Sequence, residues 1–408
     1  MIALLLFNKN SRDVLKTLKE RVNGQTQRIR AKMDGLKAAL EKKGQEETQA
    51  GPLAEAILRQ SLFGRELYGC CISPMSQGTL LITGGAGYIG SHTVRHLLEQ
   101  NERVVVLDNL VFGHRGALPM DRVDFVEGDM ADAALMEKLF IEHKPEAVLH
   151  FAAFAYVGES VTDPLKYYQN NLAAPLTLLE AMQRHGCKRF IFSSTCATYG
   201  DPVCIPIDES HPQAPVNPYG ASKWMLERVL RDCGHAWGLK SVFLRYFNAS
   251  GCHPSGEIGE DHNPETHLIP RILMAATGEI ENLTVFGTDY ATPDGTCIRD
   301  YIHVCDLASA HALALAYLRK GGETIAVNLG TGRGFSVKEI ISTAEAVTGK
   351  KIPVSYGPRR AGDPSELIAE PKLAKEILQW EAIHRDPREH IESAWRWMSG
   401  ERHGRYSV

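Results

Sequence analysis

The 408-residue chain has no apolar run approaching the ~18 consecutive residues that a membrane span requires, so no membrane partner is expected. Its charges nearly cancel, with 45 Lys and Arg against 49 Asp and Glu. That balance removes the electrostatic reason to expect a nucleic acid. Nine cysteines are scattered without one Cys-x-x-Cys spacing, and adjacent Cys70-Cys71 is a poor zinc pair. Reduced thiols, a cytoplasmic protein and no metal are expected. Ile2 to Phe7 is too short for the core of a secretion signal and has no basic residue before it. Repeats and low-complexity tracts are missing from the core. What remains is an ordinary globular composition, 44% hydrophobic and 23% charged, long enough for two domains.

The first 74 residues differ from the rest, with 13 Lys and Arg against 8 Asp and Glu. Leu15, Val22, Ile29 and Leu36 recur every seven residues, with Leu18, Met33 and Leu40 beside them. This spacing predicts an amphipathic helix or a short coiled coil, and Leu53 to Phe63 a second helical stretch. Met75 lies four residues before the first core strand. Residues 1–74 are therefore expected to be a helical or poorly ordered extension ahead of a working protein that begins at Met75.

From Thr79 the pattern alternates strand and helix. Strands are expected at Thr79–Thr83, Arg103–Asp108, Val123–Glu127, Ala147–Phe151, Arg189–Phe192 and Ser241–Tyr246. Helices are expected at Ser91–Gln100, Ala131–His143 and Tyr168–His185. Such near-continuous apolar strands are buried on both faces. The alternation predicts an α/β fold, a doubly wound Rossmann-type parallel sheet over residues 79–247. After Asn248 the rhythm breaks, and residues 248–400 read as a smaller mixed α/β substrate domain.

Thr83-Gly-Gly-Ala-Gly-Tyr-Ile-Gly90 stands between a strand and a helix. Gly84 lets the chain turn, Gly87 lets the backbone approach a pyrophosphate, and Gly90 lets helix and strand pack closely. The helix N-terminus then offers free N–H groups to the phosphates. Asp108 ends the second strand 18 residues beyond Gly90. A carboxylate there accepts ribose hydroxyls and repels a 2′-phosphate, which favours NAD over NADP. Asn109 and, after the third strand, Asp129 and Met130 are expected on the adenosine side. Asp129 could instead cap the helix expected from Ala131.

Tyr219 and Lys223 stand four apart, on one face of a helix. A neighbouring ammonium favours the phenolate, so Tyr219 is expected to serve as a general base. Thr195, at the carboxyl end of the fifth strand, is expected to bond a substrate oxygen.

Together the glycine turn, Asp108-Asn-Leu, His150-Phe-Ala-Ala, Tyr219-x-x-x-Lys223 and Leu244-Arg-Tyr-Phe-Asn248 resemble the extended short-chain dehydrogenases. Val157-Gly-Glu-Ser160, the segment from Gly287 to Gly295 and Arg299-Asp-Tyr-Ile-His-Val304 resemble the UDP-glucose 4-epimerase family within that group. The resemblance runs from about Thr79 to about Trp397. It implies a bound NAD, a UDP-sugar substrate, a homodimer, and inversion of C4 through a 4-keto sugar. It implies that Tyr88 and Ile89 cover the pyrophosphate, that Phe151, Ala152 and Phe247 flank the cofactor, and that Asn170 bonds near its phosphates. Asn248, His267 and Leu268 would meet the substrate phosphates, Phe286 the uracil, and Arg299 and Arg360 the diphosphate. Asp363 would hold the uridine ribose, and Leu367 would border the sugar 2-substituent. In some members a Lys stands where this chain has Ala155, and an Asn where it has His267, whose charge is then expected to follow pH. A UDP-xylose/arabinose epimerase and a non-catalytic NAD-sensing protein remain alternatives. A 4,6-dehydratase is disfavoured because Cys196-Ala197 supplies neither the acid nor the base it needs.

Overall fold

The computed structural model describes residues 78–360 and 363–406; the expected extension of residues 1–74 lies outside them. The chain opens with β1 (Thr79–Thr83), α1 (Tyr88–Glu99), β2 (Arg103–Asp108), β3 (Asp124–Glu127), α2 (Ala133–His143) and β4 (Pro145–His150). It continues through α3 (Ala174–His185), β5 (Arg189–Thr195), α4 (Pro218–Trp237), β6 (Lys240–Tyr246) and β7 (Asn248–Ser250). Then come α5 (Leu268–Thr277), β8 (Leu283–Phe286), β9 (Ile298–His303), α6 (Val304–Arg319), β10 (Ile325–Leu329) and β11 (Gly334–Ser336). Last are α7 (Val337–Thr348), β12 (Val354–Gly357), β13 (Glu366–Leu367) and α8 (Pro387–Ser399).

Seven strands form one parallel sheet in the order β10-β6-β5-β4-β1-β2-β3. Alternate strand residues enter two different cores, as the period of two requires. Leu80, Ile82, Val104, Val106, Leu149, Ile191 and Val242 face α1 and α6. Leu81, Val105, Val148, Phe190, Phe192 and Phe243 face α2, α3 and α4. Helices on both faces make the sheet doubly wound. Its seventh strand, β10, comes from beyond Asn248, so the main sheet is not built from residues 79–247 alone. The later part of the chain adds a sheet of β11, β9 and β13 with β7 on β9, and a two-stranded pair of β12 and β8. Around them α5, α7 and α8 bury a third core, including Ile272, Ile340, Ile391 and Trp397.

Two expected elements differ in detail. The Tyr168–His185 helix is three pieces: Pro164–Tyr168, a wide five-residue turn at Gln169–Ala173, and α3. Pro175 has no N–H to give to the carbonyl four residues back, so the regular ladder cannot run through this point. And α2 begins at Ala133, where Asp132 accepts from the Ala134 and Leu135 amides at 2.9 and 3.0 Å. Asp132 is therefore the cap; Asp129 makes a tight turn to Ala131 N at 2.8 Å and is held by Asn109.

Helix α4 starts where Asn217 caps Gly220 N at 2.8 Å, with Pro218 in the first turn. Its buried stripe runs Tyr219, Ser222, Lys223, Leu226, Glu227, Leu230. Glu227, 1% exposed, pairs with Arg245 of β6, 2% exposed, at 2.5 Å. The second Glu227 oxygen accepts from Arg245 Nε at 2.9 Å and from Ser194 Oγ of β5 at 2.7 Å. Arg245 also donates to Tyr199 OH at 3.0 Å, which donates to Asn328 Oδ1 of β10 at 2.6 Å. One network thus ties α4 to three adjacent strands.

Among the described residues no helix is long and apolar enough to cross a membrane.

Candidate active site

A cleft of about 450 Å³ opens at the carboxyl ends of the central strands, where ligands of such sheets bind. The three glycines behave as their spacing requires. Gly84 has φ +72°, and a Cβ there would lie 2.4 Å from Ala152 N. A Cβ on Gly90 would lie 2.2 Å from Gly84 O, so α1 rests directly on the turn. A Cβ on Gly87 would meet nothing nearer than Gly84 O at 3.4 Å. The protein itself has room for a side chain at Gly87, and the bare backbone there suits the close approach of a ligand. No side chain caps α1, and its first residues Tyr88, Ile89 and Gly90 line the cleft with uncapped amides. Asp108 is buried at the end of β2, with one oxygen accepting from Ala86 N and the other from Leu110 N, both at 2.9 Å. Each oxygen keeps a free lone pair for a ribose hydroxyl. These residues fit a dinucleotide.

The other expected cofactor residues Asn109, Asp129, Met130, Phe151, Ala152, Asn170 and Phe247 line the same cleft. Asn170 donates to Asn171, and Asn171 is the more connected of the two. Its amide holds both the N–H and the carbonyl of Phe154 at 2.9 Å and reaches Ser222 Oγ of α4 at 3.2 Å. The loop after β4 and the helix of Tyr219 are thereby fixed to each other. Only burial reveals this role, since a lone Asn beside another gives no sequence signal.

Tyr219, Lys223 and Thr195 meet inside the cleft. A Cβ on Gly220 would strike Ala197 O at 2.5 Å, so α4 lies hard against the turn that follows β5. Lys223 Nζ donates to Ser193 O at 3.0 Å and sits 4.9 Å from the Phe192 ring centre. Thr195 Oγ1 accepts from Ala197 N at 3.1 Å. The expected lowering of the Tyr219 pKa is not what the protein's own groups produce. Burial raises the phenol above its usual range, the Tyr246 phenol adds to the rise, and the Thr195 hydroxyl only partly opposes it. Burial also pushes the Lys223 ammonium down to about 7. Both groups are enclosed, and enclosure penalises either charge more than their proximity repays. Cys196 beside them is pushed up to about 12 by burial, so its thiol stays protonated.

On the opposite wall stand Asn248, His267, Arg299, Asp363 and Leu367. β13 places Leu367 opposite Arg299 of β9. Arg299 and Asp363 form an ion pair with each other, and Arg299 also donates to Pro364 O at 2.8 Å. Burial opposes a proton on His267, but Glu260 and Glu265 outweigh it and raise its pKa to about 10. The expected dependence of the His267 charge on pH is thus shifted upward. Leu268, Phe286 and Arg360 do not line the cleft: Leu268 opens α5, and the Arg360 guanidinium stacks 4.2 Å from the Phe286 ring centre. Tyr88 has a role the sequence did not show. Its hydroxyl donates to Gly251 O at 2.5 Å, joining the glycine turn to the loop after β7.

Residues 80–330 match the family described as NAD dependent epimerase/dehydratase. The chain belongs to this family. The UDP-glucose 4-epimerase of Halalkalibacterium halodurans is 53% identical over 325 residues, covering 80% of this chain and 97% of the relative. The crystal structure of UDP-glucose 4-epimerase from Brucella ovis in complex with NAD matches with a TM-score of 0.76 at 51% identity, over 78% of this chain and 97% of that one. The UDP-Glc/GlcNAc 4-epimerase from Campylobacter jejuni matches with a TM-score of 0.70 at 43% identity, over 79% and 99%. Family membership and the cradle agree on NAD as the cofactor.

Gly87 and Gly90 of the cradle should respond differently to alanine. Gly90→Ala must displace backbone and should lower the unfolding free energy by about 1–3 kcal/mol. Gly87→Ala should leave the denaturant midpoint nearly unchanged while the NAD retained through gel filtration falls about tenfold. Equal loss of stability in both variants would contradict the ligand-facing role of Gly87.

Proposed function

We propose that this protein inverts C4 of a UDP-hexose, interconverting UDP-glucose and UDP-galactose through a 4-keto sugar. The observation that carries the reading is the enclosure of Tyr219, Lys223 and Thr195 in the same cleft as the glycine cradle and Asp108. When bound, NAD would supply the acceptor and donor of the C4 hydride and a positive charge in the cleft. Tyr219 takes the proton of the 4-hydroxyl and later returns it, and Thr195 bonds the 4-oxygen. Lys223 holds the cofactor ribose, fixed in direction by the Ser193 carbonyl. Burial raises the Tyr219 pKa, and the positive charge of bound NAD would oppose that rise and favour the phenolate that accepts the 4-hydroxyl proton. The protonated Cys196 thiol and Ala197 give no acid–base pair beside Thr195, which supports epimerisation over dehydration.

Substrate phosphates are assigned to Asn248, His267, Leu268, Arg299 and Arg360, the uracil to Phe286 and the uridine ribose to Asp363. Guanidinium forks suit a diphosphate. Arg360 over Phe286 would close on the nucleotide from outside the cleft. Residues 79–247 with β10 are assigned to NAD, the remainder to the UDP-sugar. A cytoplasmic homodimer is part of the proposal. Val161, Leu165, Leu176 and Trp224 are exposed on the helices around residues 157–185 and on α4, and a second copy would cover them. Sedimentation that shows only monomer at micromolar concentration would refute the dimer.

Tyr219→Phe should retain NAD and reduce turnover of UDP-galactose by a factor on the order of 10²–10⁴. Near-normal turnover would remove Tyr219 from the mechanism.

Substrate range rests on Leu367, which lines the cleft where Glu366 and Ile368 do not. Leucine lacks the ring and hydroxyl of a tyrosine and leaves room for an N-acetyl group at C2. The enzyme should therefore also turn over UDP-N-acetylglucosamine. Leu367→Tyr should suppress that substrate selectively while UDP-galactose turnover stays nearly intact. Equal loss of both activities, or no activity of the parent protein on the N-acetylated sugar, would exclude this gate.

A further inference from the structure

Glu260, His262, Glu265 and His267 lie on the loop between β7 and α5, and one donor atom from each falls within 4.8 Å of all the others. His267 Nδ1 stands 2.8 Å from Glu260 Oε1 and 3.0 Å from Glu265 Oε1. His262 Nδ1 stands 3.2 Å from Glu260 Oε1 and 3.5 Å from Glu265 Oε2. The carboxylates are deeply enclosed, with the Glu260 and Glu265 side chains 5% and 6% exposed. Yet Glu260 Oε1 and His262 Nδ1 have no hydrogen-bond partner, because their close approaches lack hydrogen-bond geometry. A buried carboxylate oxygen and a buried imidazole nitrogen left without partners are each destabilising, the charged group more so. The two unpartnered atoms stand 3.2 Å from each other.

We propose that these four side chains hold one divalent transition-metal ion of the zinc type. Zinc bonds to imidazole nitrogen and carboxylate oxygen are about 2.0–2.2 Å long, so a tetrahedron of such donors has edges of about 3.3–3.5 Å. The four approaches run from 2.8 to 3.5 Å and use both Glu265 oxygens, so the side chains must spread and one Glu265 oxygen must turn to the shared centre to seat an ion. Two imidazoles disfavour magnesium and calcium, which take oxygen shells. Two carboxylates balance the charge of a divalent ion. Four protein ligands close the shell, so the ion positions residues rather than activating water. It pins a loop that otherwise has little regular structure and that supplies Glu260, His262 and His267 to the cleft. With Nδ1 of His267 on the metal, its Nε2 carries the proton and becomes a fixed donor for an anionic substrate group. The Tyr88 ring stands edge-on to His262 at 6.2 Å, so the metal would also brace the start of α1.

The test uses the untagged full-length protein. Elemental analysis after gel filtration should find about one zinc per chain. After chelation and addition of cobalt(II), the protein should show the intense visible absorption of a tetrahedral cobalt centre. Glu265→Gln and His262→Gln should each lower metal affinity about tenfold or more, and Glu265→Gln, outside the cleft, should still carry NAD as evidence of its fold. The proposal is overturned if no tetrahedral cobalt spectrum forms. It is also overturned if calorimetric titration with zinc shows no single-site binding, or if both variants bind zinc like the parent protein.

Discussion

The buried pair of Glu227 and Arg245 is the contact on which the active-site geometry depends. Tyr219, Lys223 and Glu227 follow one another at intervals of four along α4, so their side chains share one buried stripe. Glu227 binds Arg245 on β6 and Ser194 on β5, which fixes both the rotation and the height of α4 over the sheet. Tyr219 then lies over the end of β5 beside Thr195. Removing one member of such a pair leaves a charge buried without compensation, at about 3–5 kcal/mol. The position of the phenol is thus set by electrostatics two turns away, in a part of the helix that does not line the cleft.

A second constraint joins the two walls of the cleft. The glycine turn and Asp108 belong to the first half of the sheet, while Arg299, Leu367 and His267 come from β9, β13 and the loop before α5. Tyr88 crosses from one wall to the other through Gly251 O, and Asn171 ties the loop after β4 to α4. The cleft is lined by groups whose charges are mostly neutralised within the protein, Arg299 by Asp363 and His267 by its two glutamates. An anionic nucleotide would exchange those partners rather than enter an open field of positive charge.

Much of this was legible in the sequence. The first six strands of the main sheet were, because a strand buried on both faces needs an unbroken apolar run, as in Val104-Val105-Val106-Leu107. The glycine turn was legible because its spacing answers three separate steric demands. The ends of elements were harder. Asp129 and Asp132 are both acceptable caps, and only the backbone path decides between them. β7, β11 and β13 have three, three and two residues, too short for a period of two to register. Glu227 and Arg245 stand 18 residues apart on different elements, and Glu260-x-His-x-x-Glu-x-His267 looks like a polar loop until its side chains converge. For Tyr219, spacing shows that a lysine is near, but not that both groups are sealed from water.

The central claim is that one cleft removes a hydride from C4 and returns it to the same carbon without exchange with water. UDP-galactose carrying deuterium at C4 tests it directly. The account predicts UDP-glucose that retains the deuterium at C4, with none lost to the solvent over many turnovers. Wash-out of the label into water would contradict it, since C4 would then be inverted by proton exchange and the glycine cradle would have no part in the chemistry.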